Sequence, residues 1–184
     1  TPCGTLFPYT TLFRSDLSAY WDRDQKVIRS ATGQLTWNYR DQGYFTLDAP
    51  ASKAVVGFAA GRRHELGEVA IEVRTPFAVV LVTALEPDKD LSDSKNLLIA
   101  TMARARNTGM TYNADLNRLL AVGQAPILLE PVNLQLTLKR RSVPTVHILD
   151  HAGRRTGRTL KMDGNRLEIE GGETKAIYYE IAYD

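Results

Sequence analysis

The chain has 184 residues, 43% of them hydrophobic and 24% charged, and carries a formal net charge of +2. Such a composition is ordinary for a folded globular protein. The small net charge supplies no overall field that would attract nucleic acid or an anionic membrane. No apolar run approaches the roughly 20 residues of a membrane-spanning helix. We therefore expect neither nucleic acid nor a membrane as a partner.

The first fifteen residues differ in origin from the rest of the chain. Residues 5–15 resemble, at all eleven positions, the in-frame translation of a common DNA-sequencing adaptor. We therefore exclude residues 1–15 from the fold as an artefactual tail, as one would a fusion scar. Cys3, the only cysteine, lies in this tail, so no intramolecular disulfide can form. We expect residues 16–184 to form a single domain, the C-terminal fragment of a longer protein.

From Lys26 onward, short runs of alternating apolar and polar residues are separated by turn signals, which is the pattern of antiparallel strands. Asp163 and Gly164 form a strong two-residue hairpin signal between two such runs. The clearest alternations place these residues on one face of their strands: Leu35, Trp37 and Tyr39; Val69, Ile71 and Val73; Leu134, Leu136 and Leu138; Ile177, Tyr179, Ile181 and Tyr183.

Two neighbouring runs are predicted to form the middle of the sheet. Residues 77–85 are apolar on both alternating faces and β-branched at many positions. This pattern is typical of a central strand that is buried on both sides. Residues 96–105 alternate instead, with Leu97, Ile99 and Thr101 on one face. A polar segment, residues 86–95, joins the two runs.

The least regular segment is residues 107–126, which lack a strand pattern. A segment of this length without strands is long for a loop in a compact domain, and such loops are often functional or carry an element of their own. Within it, residues 115–122 are compatible with two helical turns ended by Gly123. About a dozen strands, at most one short helix and no helical crossovers predict an all-β fold, an antiparallel two-sheet β-sandwich (jelly-roll-like).

No arrangement of catalytic or metal-binding residues stands out in the sequence. It contains no Gly-x-Ser-x-Gly elbow. His147 and His151 are separated by four residues, which is about 13 Å along a strand and too far for chelation of one ion. Asp88, Asp90 and Asp93 lack the glycine and glutamate of a helix-loop-helix calcium loop, so we favour a solvated hairpin tip over a looser calcium site. We predict no catalytic residue, no metal and no cofactor.

Aromatic residues are dense in the first third of the chain. On an exposed sheet face, Trp37, Tyr39 and Tyr44 would stack against the apolar faces of sugar rings. The competing interpretation, which we favour on general grounds, is that Trp37 and Tyr39 are buried in the core. These three residues are the candidates for a carbohydrate-binding site.

Several segments resemble the C-terminal β-sandwich of large bacterial glycoside hydrolases. They are residues 30–38, 43–50, 55–58, 97–109 and 128–132. The resemblance extends over most of the chain, and its motifs are turn and strand signatures that carry little information about substrate. In that family a catalytic (β/α)-barrel precedes the sandwich and carries the catalytic glutamates. The resemblance therefore implies no catalytic residue in this chain.

The resemblance implies a non-catalytic accessory domain that packs on an upstream catalytic domain of the same chain, in a secreted or periplasmic protein. The alternative is a carbohydrate-binding module with an aromatic sugar-stacking face and a polysaccharide partner. A large uncovered apolar patch would favour the first interpretation, and an exposed coplanar set of aromatic rings the second. An enzyme in its own right would need a pocket with converging carboxylates and a perturbed pKa.

Overall fold

A computed structural model of the chain describes residues 17–140 and 142–183, so the adaptor-like residues 1–15 lie outside the described residues. Almost all of the regular structure is β-strand. The strands, in chain order, are β1 (Trp21–Asp22), β2 (Val27–Arg29), β3 (Leu35–Asn38), β4 (Tyr44–Ala49), β5 (Ser52–Gly57), β6 (Arg62–Leu66), β7 (Val69–Val73), β8 (Ala78–Ala84), β9 (Asn96–Met102), β10 (Ala105–Thr108), β11 (Thr111–Tyr112), β12 (Leu119–Ala121), β13 (Gln124–Leu129), β14 (Asn133–Leu138), β15 (Thr145–Leu149), β16 (Arg155–Leu160), β17 (Met162–Asp163), β18 (Arg166–Glu170) and β19 (Tyr178–Ala182). A 3-10 turn (Leu17–Ala19) precedes β1, and a four-residue helix, α1 (Gly171–Thr174), precedes β19.

The strands form a large sheet, a small sheet and a hairpin. The large sheet has ten strands in the order β1-β2-β3-β4-β5-β8-β9-β19-β15-β16, and the small sheet has five in the order β17-β18-β14-β7-β6. Strand pairing is antiparallel in both sheets. The buried side chains of the two sheets belong to one hydrophobic cluster, so the sheets face each other. The predicted all-β sandwich is confirmed.

The core lies between the two inner faces. In the small sheet Ile71 pairs with Leu136, and Leu136 with Leu167, and all three side chains are fully buried. In the large sheet Val82 pairs with Ile99, and both are equally buried. The alternations predicted for residues 69–73, 97–101, 134–138 and 179–183 therefore place their apolar residues in the core, as expected from the period of two along a strand.

The helical turns predicted for residues 115–122 are wrong. Tyr112 pairs with Leu119 across β11 and β12, which continues the hairpin formed by β10 and β13. At the tip, the side-chain oxygen of Asn113 accepts hydrogen bonds from the backbone N–H groups of Asn117 and Arg118, an interaction that favours a turn over a helix. We call residues 105–129 the arm.

Gly123, predicted to end the helix, is instead required by the arm. Its φ is +71°, and an added Cβ would lie 2.5 Å from the carbonyl oxygen of Thr108. Only glycine fits so close to the opposite strand in this conformation. The α-helix in the described part of the chain is α1, which is four residues long.

Strand β8 is central, as predicted, but it is buried on one side only. It lies between β5 and β9. Ala78, Val80 and Val82 are buried against the small sheet, whereas Val79 and Leu81 on the other side are half-buried. The second apolar side of this strand therefore faces away from the core.

The core position of Leu136 gives a direct test of the sandwich. Replacing Leu136 by alanine removes a fully buried side chain from the centre of the small sheet, and we expect a loss of about 2–5 kcal/mol in the free energy of unfolding. Gln135→Ala, one residue away on the solvent side of the same strand, is the matched control and is expected to cost less than about 0.5 kcal/mol. Equal losses in urea unfolding would contradict this orientation of β14.

Candidate docking face

The side of the large sheet that faces away from the small sheet is apolar across most of its width. The strand registers place its side chains in two rows. The first row is Trp21, Ile28, Trp37, Phe45, Val56, Val79 and Met102. The second row is Leu35, Leu47, Ala54, Leu81, Ala100 and Tyr178. We call these two rows the apolar face.

The apolar face is open in this chain. Trp37 is 50% exposed and Met102 is 47% exposed, and most of the other members are half-buried. Because neighbouring strands lie about 4.8 Å apart, the first row spans roughly 29 Å. Two rows of this length cover about 400 Å², in the size range of the largest patch on a typical monomer, which is often functional.

The outer face of the small sheet has the opposite character. Its registers give the row Arg63, Glu72, Gln135 and Glu168. Arg74 forms ion pairs with Glu168 and Glu170 on this face. Antiparallel sheets commonly have one packed face and one solvated polar face, and the small sheet follows this rule. The large sheet does not, because both of its faces carry apolar rows.

Strands β2, β3 and β4 show the contrast most clearly. On the inner side, Arg29, Thr36 and Thr46 lie in register with one another, next to the buried Val55. On the inner side, Val27 and Tyr44 are the apolar side chains of these strands. The other large apolar side chains are on the outer side, so the hydrophobic character of the sheet shifts towards the outer side from β5 to β4. Those outer side chains would be buried only if another surface covered them.

An aromatic corner lies at the β1–β3 end of the apolar face. The indole Nε1 of Trp21 donates a hydrogen bond to the hydroxyl of Tyr39 at 2.8 Å. The rings of Trp37 and Tyr39 are 5.6 Å apart and inclined at 54°. The Arg23 guanidinium lies 4.4 Å from the centre of the Trp21 ring. The exposed aromatic side chains are therefore clustered but are not coplanar.

The three predicted carbohydrate-binding residues do not form one site. Trp37 and Tyr39 lie together, but Tyr44 is on the inner side of the sheet, where it packs against the core and lies 4.9 Å from the His64 ring. Tyr44 pairs with Asn38, one residue from Trp37, and so its side chain takes the opposite face. Trp21, the third member of the corner, was not among the residues predicted from the sequence. Trp37 and Tyr39 are two residues apart, and this spacing was the sequence signal that both side chains lie on the same face of the strand.

The arm adds a second exposed apolar surface. It follows Met102 at one end of the apolar face, and its exposed apolar residues are Leu116, Leu119, Leu120, Val122, Ile127, Leu128 and Leu129.

At the base of the arm, the Arg104 guanidinium donates two hydrogen bonds, of 2.7 and 3.1 Å, to the Glu130 carboxylate. This ion pair holds the pKa of Glu130 below its usual value. A cavity of about 410 Å³ lies between the arm and the body, with Met102 and Leu129 in its wall.

The shifted carboxyl groups do not converge on one site. The cavity at the base of the arm contains one carboxyl group, Glu130, which is already paired with Arg104. The pKa of Glu168 is lowered by Arg74, and that of Glu180 by Arg155, in separate surface ion pairs. Within residues 17–140 and 142–183, no group of three or more His, Cys, Asp or Glu side chains is placed to hold a metal ion. In the same ranges, no helix is long and apolar enough to cross a membrane.

Comparisons of the chain with protein-family models, with curated proteins and with solved structures found no match. The apolar face, the aromatic corner and the arm are therefore the features from which a function can be inferred.

The apolar face should make the isolated chain associate. We expect Leu81→Lys, which places a charge in the middle of the face, to reduce self-association and binding of a hydrophobic dye several-fold, because a lysine ammonium resists burial. The matched control is Gln135→Lys on the outer face of the small sheet, where we expect no change. Light scattering and dye fluorescence measure the two effects. If both variants self-associate and bind the dye like the original chain, the apolar face does not mediate this association.

Proposed function

We propose that this chain is a non-catalytic accessory β-sandwich of a carbohydrate-active enzyme, a glycoside hydrolase, and that it packs on the catalytic (β/α)-barrel through the apolar face. The observation that carries the proposal is the difference between the two outer faces of the sandwich. One is charged and suited to water, and the other is apolar over seven strands. The largest exposed apolar patch of a protein is often an interaction site.

The resemblance to glycoside hydrolases supports the identity of the partner. The resembling segments coincide with the parts of the fold that form the exposed apolar surfaces. Residues 43–50 contain β4, residues 97–109 contain β9 and the start of the arm, and residues 128–132 contain its end. These segments include strands that contribute residues both to the core and to the exposed apolar surfaces.

The arm extends the proposed interface. The apolar face alone, about 400 Å² by the estimate from strand spacing, is smaller than the 600–1,500 Å² typical of contacts between domains of one chain. The arm begins directly beyond Met102 and exposes all six residues of β13. Together the two surfaces approach the size of a domain interface. We propose that the barrel contacts both.

This role also implies a location. A glycoside hydrolase that degrades a polysaccharide works where the polymer is, so we propose a secreted or periplasmic protein.

The barrel contact is tested by reassociation. We expect the gene that encodes this chain also to encode a catalytic barrel, and we expect the separately produced barrel to bind the sandwich in isothermal titration calorimetry. Leu81→Lys should weaken that binding at least tenfold, because it places a charge in the middle of the buried surface, and Gln135→Lys should leave it unchanged. A gene without a barrel, or equal binding by both variants, would falsify the proposal.

The aromatic corner supports a second candidate function, a carbohydrate-binding module. Trp37 is half exposed, beside Tyr39 and Trp21, and such rings stack on sugars. The inclination of the rings fits a continuous planar platform poorly, so we place this function second.

Glycan binding distinguishes the two functions. A carbohydrate-binding module should bind at least one polysaccharide of a panel, and Trp37→Ala should abolish that binding because the substitution removes the exposed ring. Tyr44→Phe is the control, since this ring lies on the inner side of the sheet. Affinity electrophoresis with the folded chain measures both effects. If no glycan is retained, the second candidate fails and the docking role is unaffected.

A further inference from the structure

A polar cleft lies on the opposite side of β2–β4 from the apolar face. The small sheet ends at β6, whereas the large sheet continues beyond β5 through β4, β3, β2 and β1. The inner side of these strands is therefore not covered by a facing strand. The space between them and β6 is a cleft of about 330 Å³, a volume in the range of small-molecule sites.

The cleft combines an apolar floor with polar walls. Val27 and Leu66 are buried and form part of the floor, and the Tyr44 ring adds an aromatic surface. Arg29 and Thr36 line the wall from the large sheet, and His64 lines the wall from β6. Ligand sites typically have this composition, in which an apolar surface carries a few polar groups that fix orientation.

Several polar groups of the cleft have no partner. Within the described part of the chain, the side chains of Arg29, Thr36 and Thr46 take part in no hydrogen bond or ion pair. The Nε2 atom of His64 is buried without a hydrogen-bond partner. Because that nitrogen has no accessible surface, it is not available to a ligand. A ligand in the cleft would supply partners for Arg29, Thr36 and Thr46.

The charges around the cleft favour an anion. The one carboxylate in its lining, Glu65, accepts a hydrogen bond from Arg63 at 2.8 Å and forms an ion pair with Lys139 at 3.0 Å. Arg29 is exposed at the rim with its guanidinium unpaired. Guanidinium groups bind carboxylates with two parallel hydrogen bonds. The hydroxyls of Thr36 and Thr46 suit a ligand that also carries hydroxyl groups.

We propose that this cleft binds a hexuronate, a sugar unit with one carboxylate, whose carboxylate pairs with Arg29 and whose hydroxyl groups bond to Thr36 and Thr46. The site is independent of the proposed docking function, because its side chains lie on the other side of the sheet.

Titration of the full chain with galacturonate and glucuronate, followed by NMR, tests this site. We expect saturable binding of at least one hexuronate, and at least tenfold weaker binding of the matched neutral sugars, galactose and glucose. Arg29→Gln should weaken hexuronate binding at least tenfold, and Thr46→Val at least threefold. Gln135→Ala, on the outer face of the small sheet, is the control and should leave the affinity unchanged.

Three results would overturn the proposal. The first is the absence of hexuronate binding by the folded chain. The second is inorganic phosphate binding as tightly as the hexuronate, which would indicate an anion site without sugar recognition. The third is retention of hexuronate binding in both Arg29→Gln and Thr46→Val, with thermal unfolding confirming that both variants fold. Loss of barrel binding has no bearing on these results, so the two proposals fail separately.

Discussion

The strand register is unbroken from β1 to β9, and the alternation of side chains along these strands determines which residues lie on each face of the large sheet. Successive side chains of a strand point to opposite faces, and paired residues on neighbouring strands point to the same face. A continuous register therefore fixes the face of every side chain across the sheet. In the large sheet Val55, Val80 and Ile99 fill one side, and Val56, Val79 and Met102 line the other. A sheet with two apolar sides buries both of them only if another surface packs on each side. The small sheet packs on the inner side.

The shift of hydrophobic character towards the outer side from β5 to β4 links the two proposed sites. The outer side of β2–β4 is apolar, whereas the inner side combines Arg29, Thr36 and Thr46 with Val27 and Tyr44. The proposed protein contact and the proposed ligand site therefore lie on opposite sides of the same three strands. Neither arrangement would arise if these strands simply continued the core. The two functions can be separated by substitutions because alternate residues serve them.

Sequence patterns predicted the core well and the exposed surfaces poorly. Ile71 and Leu136 were assigned correctly because one face of each strand is apolar and the other polar. The arm was missed because its apolar residues, such as Leu119 and Leu120, are exposed on both sides and show no alternation. Tyr44 was grouped with Trp37 because both lie in an aromatic-rich part of the sequence. Closeness in sequence does not show that two side chains lie on the same face of a sheet. The apolar run of β8 predicted burial on both sides, whereas in the described structure Val79 and Leu81 on the outer side are half-buried.

The central claim is that a protein surface covers the apolar face, and hydroxyl-radical footprinting tests it most directly. Trp37 and Met102 are both about half exposed in this chain and are oxidised readily when solvent reaches them. We expect their oxidation rates to fall several-fold when the chain is joined to the proposed catalytic barrel, while that of Met162 on the small sheet stays the same. Equal oxidation of Trp37 and Met102 with and without the barrel would contradict it.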